Sequence, residues 1–371
     1  MSLPGSVEVL EGKTRLKVPD TYSSGGPGKR IGQVFFNSQM AFNRDVSVMF
    51  LRARPVRTAL DAMAGTGARA VRWAVETDVA DVTANDRDAQ AAQYIGANIA
   101  LNGVEERCHG ANEDLRCMLA RRAFDLVDLD PFGSPVHYIP AAVQAVKRRG
   151  ILAITATDTA PLAGTYPKKC RRRYGAQSMR SPFGHETGLR ILIGHVMREA
   201  AKEDRGARCL LSFYADHYFR IYLQMEEGGA SADRCLAQMG FVEHEPVTGR
   251  FSYGSEGTPR SAGPLWLGPL HDKELLSAMD APDDLSEAGR CRKYLELWRS
   301  EEEAPFFYDN DEVSSILGMS PPRMGPLLER LNEIGRASRT HFSPTAIKTA
   351  LPLEDVLSVY REASASGASH H

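Results

Sequence analysis

No stretch of the 371-residue chain approaches the ~20 consecutive apolar residues that a membrane-spanning helix needs. Charge of one sign is also missing. The 45 Lys and Arg against 47 Asp and Glu leave a net charge of -2, so any nucleic-acid binding must rest on local basic patches. The six cysteines (Cys108, Cys117, Cys170, Cys209, Cys235, Cys291) are scattered and form no C-x-x-C pair. They read as reduced thiols, which excludes a disulfide framework and a cysteine zinc site. There is no internal repeat and no signal-peptide pattern, so a cytoplasmic location is expected. Met1-Ser2-Leu3 and Ser369-His370-His371 are expected to be vector-derived in part, and residues 364–371 to form a disordered tail.

What is present is an ordinary globular composition, 43% hydrophobic and 25% charged, over a length that suggests two domains. From Thr58 onward, strands and helices alternate. Strands are expected at Thr58 to Met63, Asp81 to Asn85, Phe124 to Leu129 and Gly150 to Thr157. Helices are expected at Gln39 to Arg52, Ala68 to Glu76, Asp88 to Leu101, Ile139 to Lys147 and His185 to Asp204. Arg208 to Asp216 and Tyr218 to Glu226 read as a closing antiparallel pair. This alternation predicts an α/β domain over residues 1–226, with a parallel sheet covered on both faces and ligands at the carboxyl ends of its strands. Ahead of it, Thr14 to Val18 and Gln33 to Phe36 read as short β pieces around Ser23-Ser24-Gly25-Gly26-Pro27-Gly28-Lys29, a lid or a linker by composition.

After residue 226 glycines and prolines punctuate a stretch expected to be irregular. Helices follow at Lys273 to Met279, Ser286 to Glu303, Asp311 to Gly318 and Pro322 to Gly335, and Arg336 to Ser343 reads as a β wing. Residues 227–363 are thus expected to be a smaller α+β domain with a winged-helix-like segment. That shape serves nucleic acids and proteins alike.

Two strand ends carry the chemistry. Asp61-Ala62-Met63-Ala64-Gly65-Thr66-Gly67-Ala68-Arg69-Ala70 joins the first strand to its helix, and Asp86 ends the next strand about 20 residues on, where a carboxylate can hold ribose hydroxyls. Gly65-x-Gly67-x-x-Ala70 also satisfies the dinucleotide fingerprint, which keeps a nicotinamide-dependent dehydrogenase open. Against it, Asp61 stands where a pyrophosphate would have to sit, and where the methionine portion of S-adenosylmethionine could be held. The second strand end is Asp130-Pro131-Phe132-Gly133. It offers an anionic acceptor, a carbonyl and a ring, the groups needed to hold the exocyclic amine of a nucleobase. The plain alternative is a strand end with a proline turn.

Lys168, Lys169, Arg171, Arg172 and Arg173 form a dense cationic run, and Lys147, Arg148 and Arg149 a smaller one. Such runs suit phosphate contacts, though an isolated run is more often a solvated face. Two runs flanking the strand that follows Asp130 are expected to border a substrate groove, with Lys168 to Arg173 as its substrate-binding residues. Asp158 ends a strand beside the same crevice, while His185 and Glu186, opening a helix, read as structural.

The chain resembles the tRNA (guanine-26-N2)-dimethyltransferases, often called the Trm1 family, from about Glu11 to Asp355. The likeness is carried by Val34-Phe35-Phe36-Asn37, Phe42-Asn43-Arg44-Asp45, Asp61 through Arg69, Asn85-Asp86, Asp128 through Pro135, Thr155 through Asp158 and Asp216-His217-Tyr218-Phe219-Arg220. Further on, Gly263-Pro264-Leu265-Trp266, Phe306-Phe307-Tyr308-Asp309 and Thr340-His341-Phe342-Ser343-Pro344 extend it. The resemblance implies a class I methyltransferase fold and S-adenosylmethionine as donor. The substrate it implies is tRNA, methylated once or twice on the N2 of guanine 26. It assigns cofactor contacts to Arg44 and Arg69 and the ribose to Asp86, with Asn112 and Glu113 at the adenine pocket, beside the Asp61, Gly65 and Gly67 contacts already read from the residues. It assigns the guanine amine to Asp130, with help from the Pro131 carbonyl, and base stacking to Phe132. Relatives often carry cysteine pairs between the closing strands and Gly263; here only Cys235 falls in that interval, so no zinc is expected. The other readings are an amino methyltransferase acting on another base, such as adenine N6, and a non-catalytic RNA-binding module. A monomer is favoured.

Overall fold

The computed structural model describes residues 3, 5–22 and 34–367; the segment 23–29 read as a lid or linker, Gln33 and residues 368–371 lie outside them. The chain opens with a hairpin of β1 (Ser6–Glu11) and β2 (Thr14–Pro19). The β/α series follows: α1 (Ala41–Ala53), β3 (Thr58–Asp61), α2 (Ala68–Glu76), β4 (Asp81–Asn85), α3 (Ala89–Asn102), β5 (Cys108–Ala111), α4 (Leu115–Arg121), β6 (Phe124–Leu129), α5 (Ile139–Ala145) and β7 (Val146–Ala156). Next come α6 (Thr159–Leu162), α7 (Pro167–Tyr174), α8 (Gly184–Ala201), β8 (Arg205–Ala215) and β9 (Tyr218–Glu227).

One seven-stranded sheet results, in the order β5-β4-β3-β6-β7-β9-β8. All neighbours are parallel except at β9, which runs antiparallel to β7 and β8. The strands alternate between two cores with the period of two that a pleated strand dictates. Leu60, Val127, Leu129, Leu152, Ile154 and Ile221 face α4, α5 and α8; Ala59, Leu126, Ile151, Ala153 and Tyr222 face α1, α2 and α3. The chain winds outward from β3 through β4 to β5, then returns to β6 on the other side. The crevice of an open α/β sheet forms at such a reversal, so Asp61 and the residues after Leu129 are brought to one place.

Beyond the sheet the chain forms α9 (Gly229–Leu236), β10 (Met239–Glu245), β11 (Arg250–Gly254), β12 (Ala262–Trp266), α10 (Lys273–Ala278) and α11 (Ala288–Ser300). Residues expected to be irregular thus form a helix and a three-stranded antiparallel sheet, β11-β10-β12. Gly249 turns the β10–β11 hairpin and Gly228 leads into α9, so these glycines mark turns between short elements, not a loop. Then come β13 (Tyr308–Asp309), α12 (Asn310–Leu317), α13 (Met324–Ile334), β14 (Ala337–Arg339), β15 (Ala346–Thr349) and α14 (Leu353–Gly367). The sheet β13-β15-β14 with α12 and α13 is the winged-helix-like unit, and its core of Val313, Leu327, Leu331, Ile347, Val356 and Tyr360 is its own. By contrast, Val242, Leu265 and Trp266 join the α8 core, and Leu276, Leu295 and Trp298 join the α1 core.

Several boundaries differ from the sequence reading. The helix expected to reach Lys147 ends at Ala145, because Val146 already pairs with Phe124 in β7. Val34 to Phe36 form no strand. Phe36 packs inward instead, against Ala68, Leu16 and Val18. The wing is longer than expected: its second strand, β15, lies beyond Ser343.

Candidate active site

A cavity of about 640 Å³ opens at the reversal point. β3 delivers Asp61 to its floor. The carboxylate is buried and its Oδ2 has no hydrogen-bond partner. Burial, opposed by the Arg69 charge and reinforced by Asp128 and Asp130, pushes its pKa up to about 7. Gly65 follows in the left-handed region (φ +55°), and a Cβ there would stand 3.0 Å from the Phe35 carbonyl oxygen. Its N–H donates to Asp86 Oδ2 at 2.9 Å, so the β4 end and the glycine turn brace each other. Asp86 Oδ1 accepts from the Asp88 N–H at 2.9 Å, which turns the chain into α3.

Glu113, Asp114 and Leu115 supply another wall, where Asp114 caps α4 through the Arg116 N–H. Asn112 does not line the cavity; its Nδ2 donates to the Asp86 carbonyl at 2.8 Å. Gly67 caps α2 at φ 78°, packed against Ile95, and stands behind the lining residues.

β6 delivers Asp130, Pro131 and Phe132 to the opposite wall. Arg69, almost wholly buried, holds Asp130 Oδ2 with Nη2 at 2.5 Å and Asn43 Oδ1 with Nη1 at 2.9 Å. Phe132 is 60% exposed and meets Phe35 edge to face. Arg44 lines the cavity but spends its guanidinium on Glu11, at 2.6 and 2.5 Å, and on the Asn37 carbonyl. Thus Glu11, at the end of β1, holds one residue of the cavity lining.

The cationic run forms α7, outside the cavity. Lys168, Arg171 and Arg172 are exposed and Lys169 is half-buried. Arg173 differs from the rest of the run. It holds Asp158 at 2.8 Å, and the buried Tyr174 hydroxyl donates to the same carboxylate at 2.6 Å. Ser134, a lining residue, reaches that hydroxyl at 2.9 Å, so α7 is tethered to the cavity rim.

A profile of the family described as N2,N2-dimethylguanosine tRNA methyltransferase matches residues 12–361. The chain belongs to this family. Among its members, the tRNA (guanine(26)-N(2))-dimethyltransferase of Pyrococcus abyssi is 37% identical over 380 residues, covering 96% of this chain and 99% of that protein. The protein of the same name from Methanosphaerula palustris is 39% identical over 368 residues, covering 94% and 97%. The solved structure of Trm1 from Pyrococcus horikoshii with S-adenosyl-L-methionine matches with a TM-score of 0.89 at 35% identity, over 95% of this chain and 99% of that one. The sheet is therefore the class I S-adenosylmethionine-dependent methyltransferase fold, and the dehydrogenase alternative falls with it.

Sequence reasoning about this dimethyltransferase-family member missed Asp114, Leu115, Ser134, His137, Tyr138 and Thr157, all lining residues. Asp114 had a signal, since Asp before an apolar run is a helix-cap pattern. The others become neighbours only through the fold. Outside the cavity, one group among the described residues has metal-ligand chemistry: His271, Glu301 and His341. The Lys348 ammonium already sits 2.9 Å from Glu301 and 3.2 Å from Glu186, supplying the positive charge a metal would bring. No helix among the described residues is long and apolar enough to cross a membrane.

Proposed function

We propose that this chain transfers one or two methyl groups from S-adenosylmethionine to the exocyclic N2 of guanine 26 in tRNA. The observation that carries the reading is a single cavity shared by the Asp61 carboxylate, whose Oδ2 is unpartnered, and the Asp130-Pro131-Phe132 tip. A buried oxygen with no partner is costly, and an ammonium group relieves that cost by hydrogen bonding to it. Asp61 therefore suits the amino group of the cofactor's methionine portion. Asp86 suits the ribose hydroxyls, Gly65 and Gly67 shape the turn beneath the cofactor, and Glu113 walls the adenine end. Asn112 acts at one remove, by holding the Asp86 carbonyl. Arg44 and Arg69 frame the cofactor's methionine side. When bound, S-adenosylmethionine supplies an electrophilic sulfonium methyl.

The guanine amine is a poor nucleophile because its lone pair is delocalised into the ring. Asp130, with the Pro131 carbonyl, accepts its N–H bonds and draws the nitrogen toward tetrahedral geometry. That interaction strengthens as positive charge develops, so it favours the transition state. Phe132 stacks on the base, which is taken out of the tRNA core. Lys168, Lys169, Arg171 and Arg172 line the approach of the phosphate backbone, and Arg173 ties their helix to Asp158. Residues 1–226 form the catalytic domain and 227–363 the tRNA-binding domain, whose last helix, α14, runs on to Gly367 where a tail was expected. The protein acts as a cytoplasmic monomer without a metal.

The test is methyl transfer from labelled S-adenosylmethionine to an unmodified tRNA transcript, followed by nucleoside analysis. N2-methylated guanosine, lost when guanine 26 is replaced, supports the reading. Tight cofactor binding with methylation of another base, or of none, overturns it.

A further inference from the structure

Asp130 is held by Arg69, and Arg69 has a second carboxylate in reach. Asp128, two residues earlier on β6, is fully buried, and its Oδ2 lies 3.8 Å from Arg69 Nη1. What occupies Asp128 instead is Arg220 of β9. Its Nη1 donates to Asp128 Oδ1 at 2.9 Å and its Nη2 to Oδ2. Arg220 is itself fully buried and is held through both terminal nitrogens. Thr155 Oγ1 accepts from it at 3.0 Å, the Tyr222 hydroxyl accepts at 3.0 Å, and the Tyr222 ring lies 4.4 Å from its guanidinium carbon. Neither Arg220 nor Asp128 lines the cavity.

We infer that Arg220 is a positioning residue for the methyl-transfer step, acting by occupying Asp128 so that Arg69 remains on Asp130. This rests on the proposed role of Asp130. The carboxylates Asp61, Asp128 and Asp130 share the guanidinium groups of Arg69 and Arg220. In such a low-dielectric setting an uncompensated buried carboxylate draws the nearest cation to itself. Remove the Arg220 charge and Asp128 becomes that carboxylate. Arg69 then needs to move little to leave Asp130, whose freed side chain no longer presents a fixed oxygen to the amine.

The test is a double-mutant cycle on the full chain, using Arg220→Gln, Asp128→Asn and both together. For Arg220→Gln, kcat is expected to fall on the order of 10²-fold, as for other small misplacements of a reacting group. The KM for tRNA and the dissociation constant for S-adenosylmethionine stay within about threefold. Adding Asp128→Asn removes the competitor, so the double variant recovers most of the lost kcat although it lacks two native groups. Arg220→Lys, which keeps the charge, is intermediate. Thermal melts set the folded fraction for each variant. A crystal structure of Arg220→Gln, a readout independent of activity, is expected to show Arg69 turned from Asp130 to Asp128. Retained kcat in Arg220→Gln, a double variant no faster than the single one, or Arg69 still on Asp130 in the crystal overturns the inference. A parent enzyme that makes no N2-methylguanosine overturns the functional reading instead, and the crystal then decides the Arg69 switch alone.

Discussion

Phe132 and Phe35 meet edge to face, with ring centroids 4.6 Å apart and planes at 79°. Phe35 thus steadies the Phe132 ring from one side and leaves a ring face free at the cavity mouth, where Phe132 is largely exposed. Stacking of a base on an aromatic ring contributes about 1–3 kcal/mol. Phe132→Ala is therefore expected to lower kcat/KM for tRNA by roughly 5- to 150-fold, with cofactor affinity intact. Phe35→Ala, which acts through the supported ring, is expected to cost less. Steady-state kinetics on a tRNA transcript checks the order.

Asp61 gives a pH dependence with a definite sign. Its pKa is raised on folding, to about 7, first by burial and further by Asp128 and Asp130. An acid of this kind disfavours the folded state wherever it is ionised, so the cost builds from about pH 4 and is full above about pH 7. A bound ammonium offsets that cost. S-adenosylmethionine affinity is thus expected to weaken by up to about tenfold per pH unit below pH 7 and to level off above it. Asp61→Asn should remove the pH dependence, weaken binding, and raise the melting temperature of the free protein at pH 8. Calorimetric titration from pH 5.5 to about 8.5, with melts of the free protein, tests both limbs. A flat affinity profile in the parent protein refutes the assignment.

The glycine turn tolerates little. Gly65 has φ +55° and its Cβ position lies 3.0 Å from the Phe35 carbonyl oxygen. Gly65→Ala combines left-handed strain, about 1–2 kcal/mol, with a push on the backbone that carries Phe35. The expected result is cofactor affinity lowered tenfold or more by order of magnitude, with a melting temperature down by a few degrees. Affinity equal to the parent's would show that the turn does not seat the cofactor.

The parts of this site that were legible in the sequence are those at strand ends. Asp61, Asp86 and Asp130 each close an apolar run, and the alternation of strands and helices puts such ends in one crevice. What was not legible is long-range pairing. Nothing in the sequence signalled that Glu11, 33 residues before Arg44, would engage it. Arg220 belonged to a motif with no assigned task, and its partner Asp128 lies 92 residues away. Periodicity gives an element and its buried face, not which charged group arrives opposite. Gly249 was misread for the same reason: a turn glycine between two short strands looks like a loop until the strands pair.

The junction of α8, α11 and β15 is a buried charge group. Lys348 lies between Glu301 and Glu186, and Glu301 also holds His341 at 2.6 Å; all four side chains are at most 2% exposed. Removing one partner of a buried pair leaves an uncompensated charge, at a cost of about 3–5 kcal/mol. Lys348→Met is expected to destabilise the protein by that much in denaturant unfolding. Activity per folded molecule should change far less, because the cavity does not include these residues. An unchanged unfolding midpoint would mean that the junction contributes nothing.

On α7 the cations divide into two kinds. Lys168, Arg171 and Arg172 are exposed, while Arg173 is committed to Asp158. If the exposed three touch phosphates, replacing them with Ala weakens tRNA binding and lowers the slope of log affinity against log salt by up to about 2–3, without changing which guanine is methylated. Arg173→Ala should behave differently. It frees Asp158 from one of its two partners and loosens the tether that runs through Tyr174 to Ser134 at the rim. Its loss is therefore expected mainly in kcat, with a salt slope close to the parent's. Binding measured from about 50 to 300 mM salt, alongside single-turnover rates, separates the two. An equal slope change for Arg173→Ala would place that residue with its neighbours as a phosphate contact. A triple variant with an unaltered slope would make the run a solvated face.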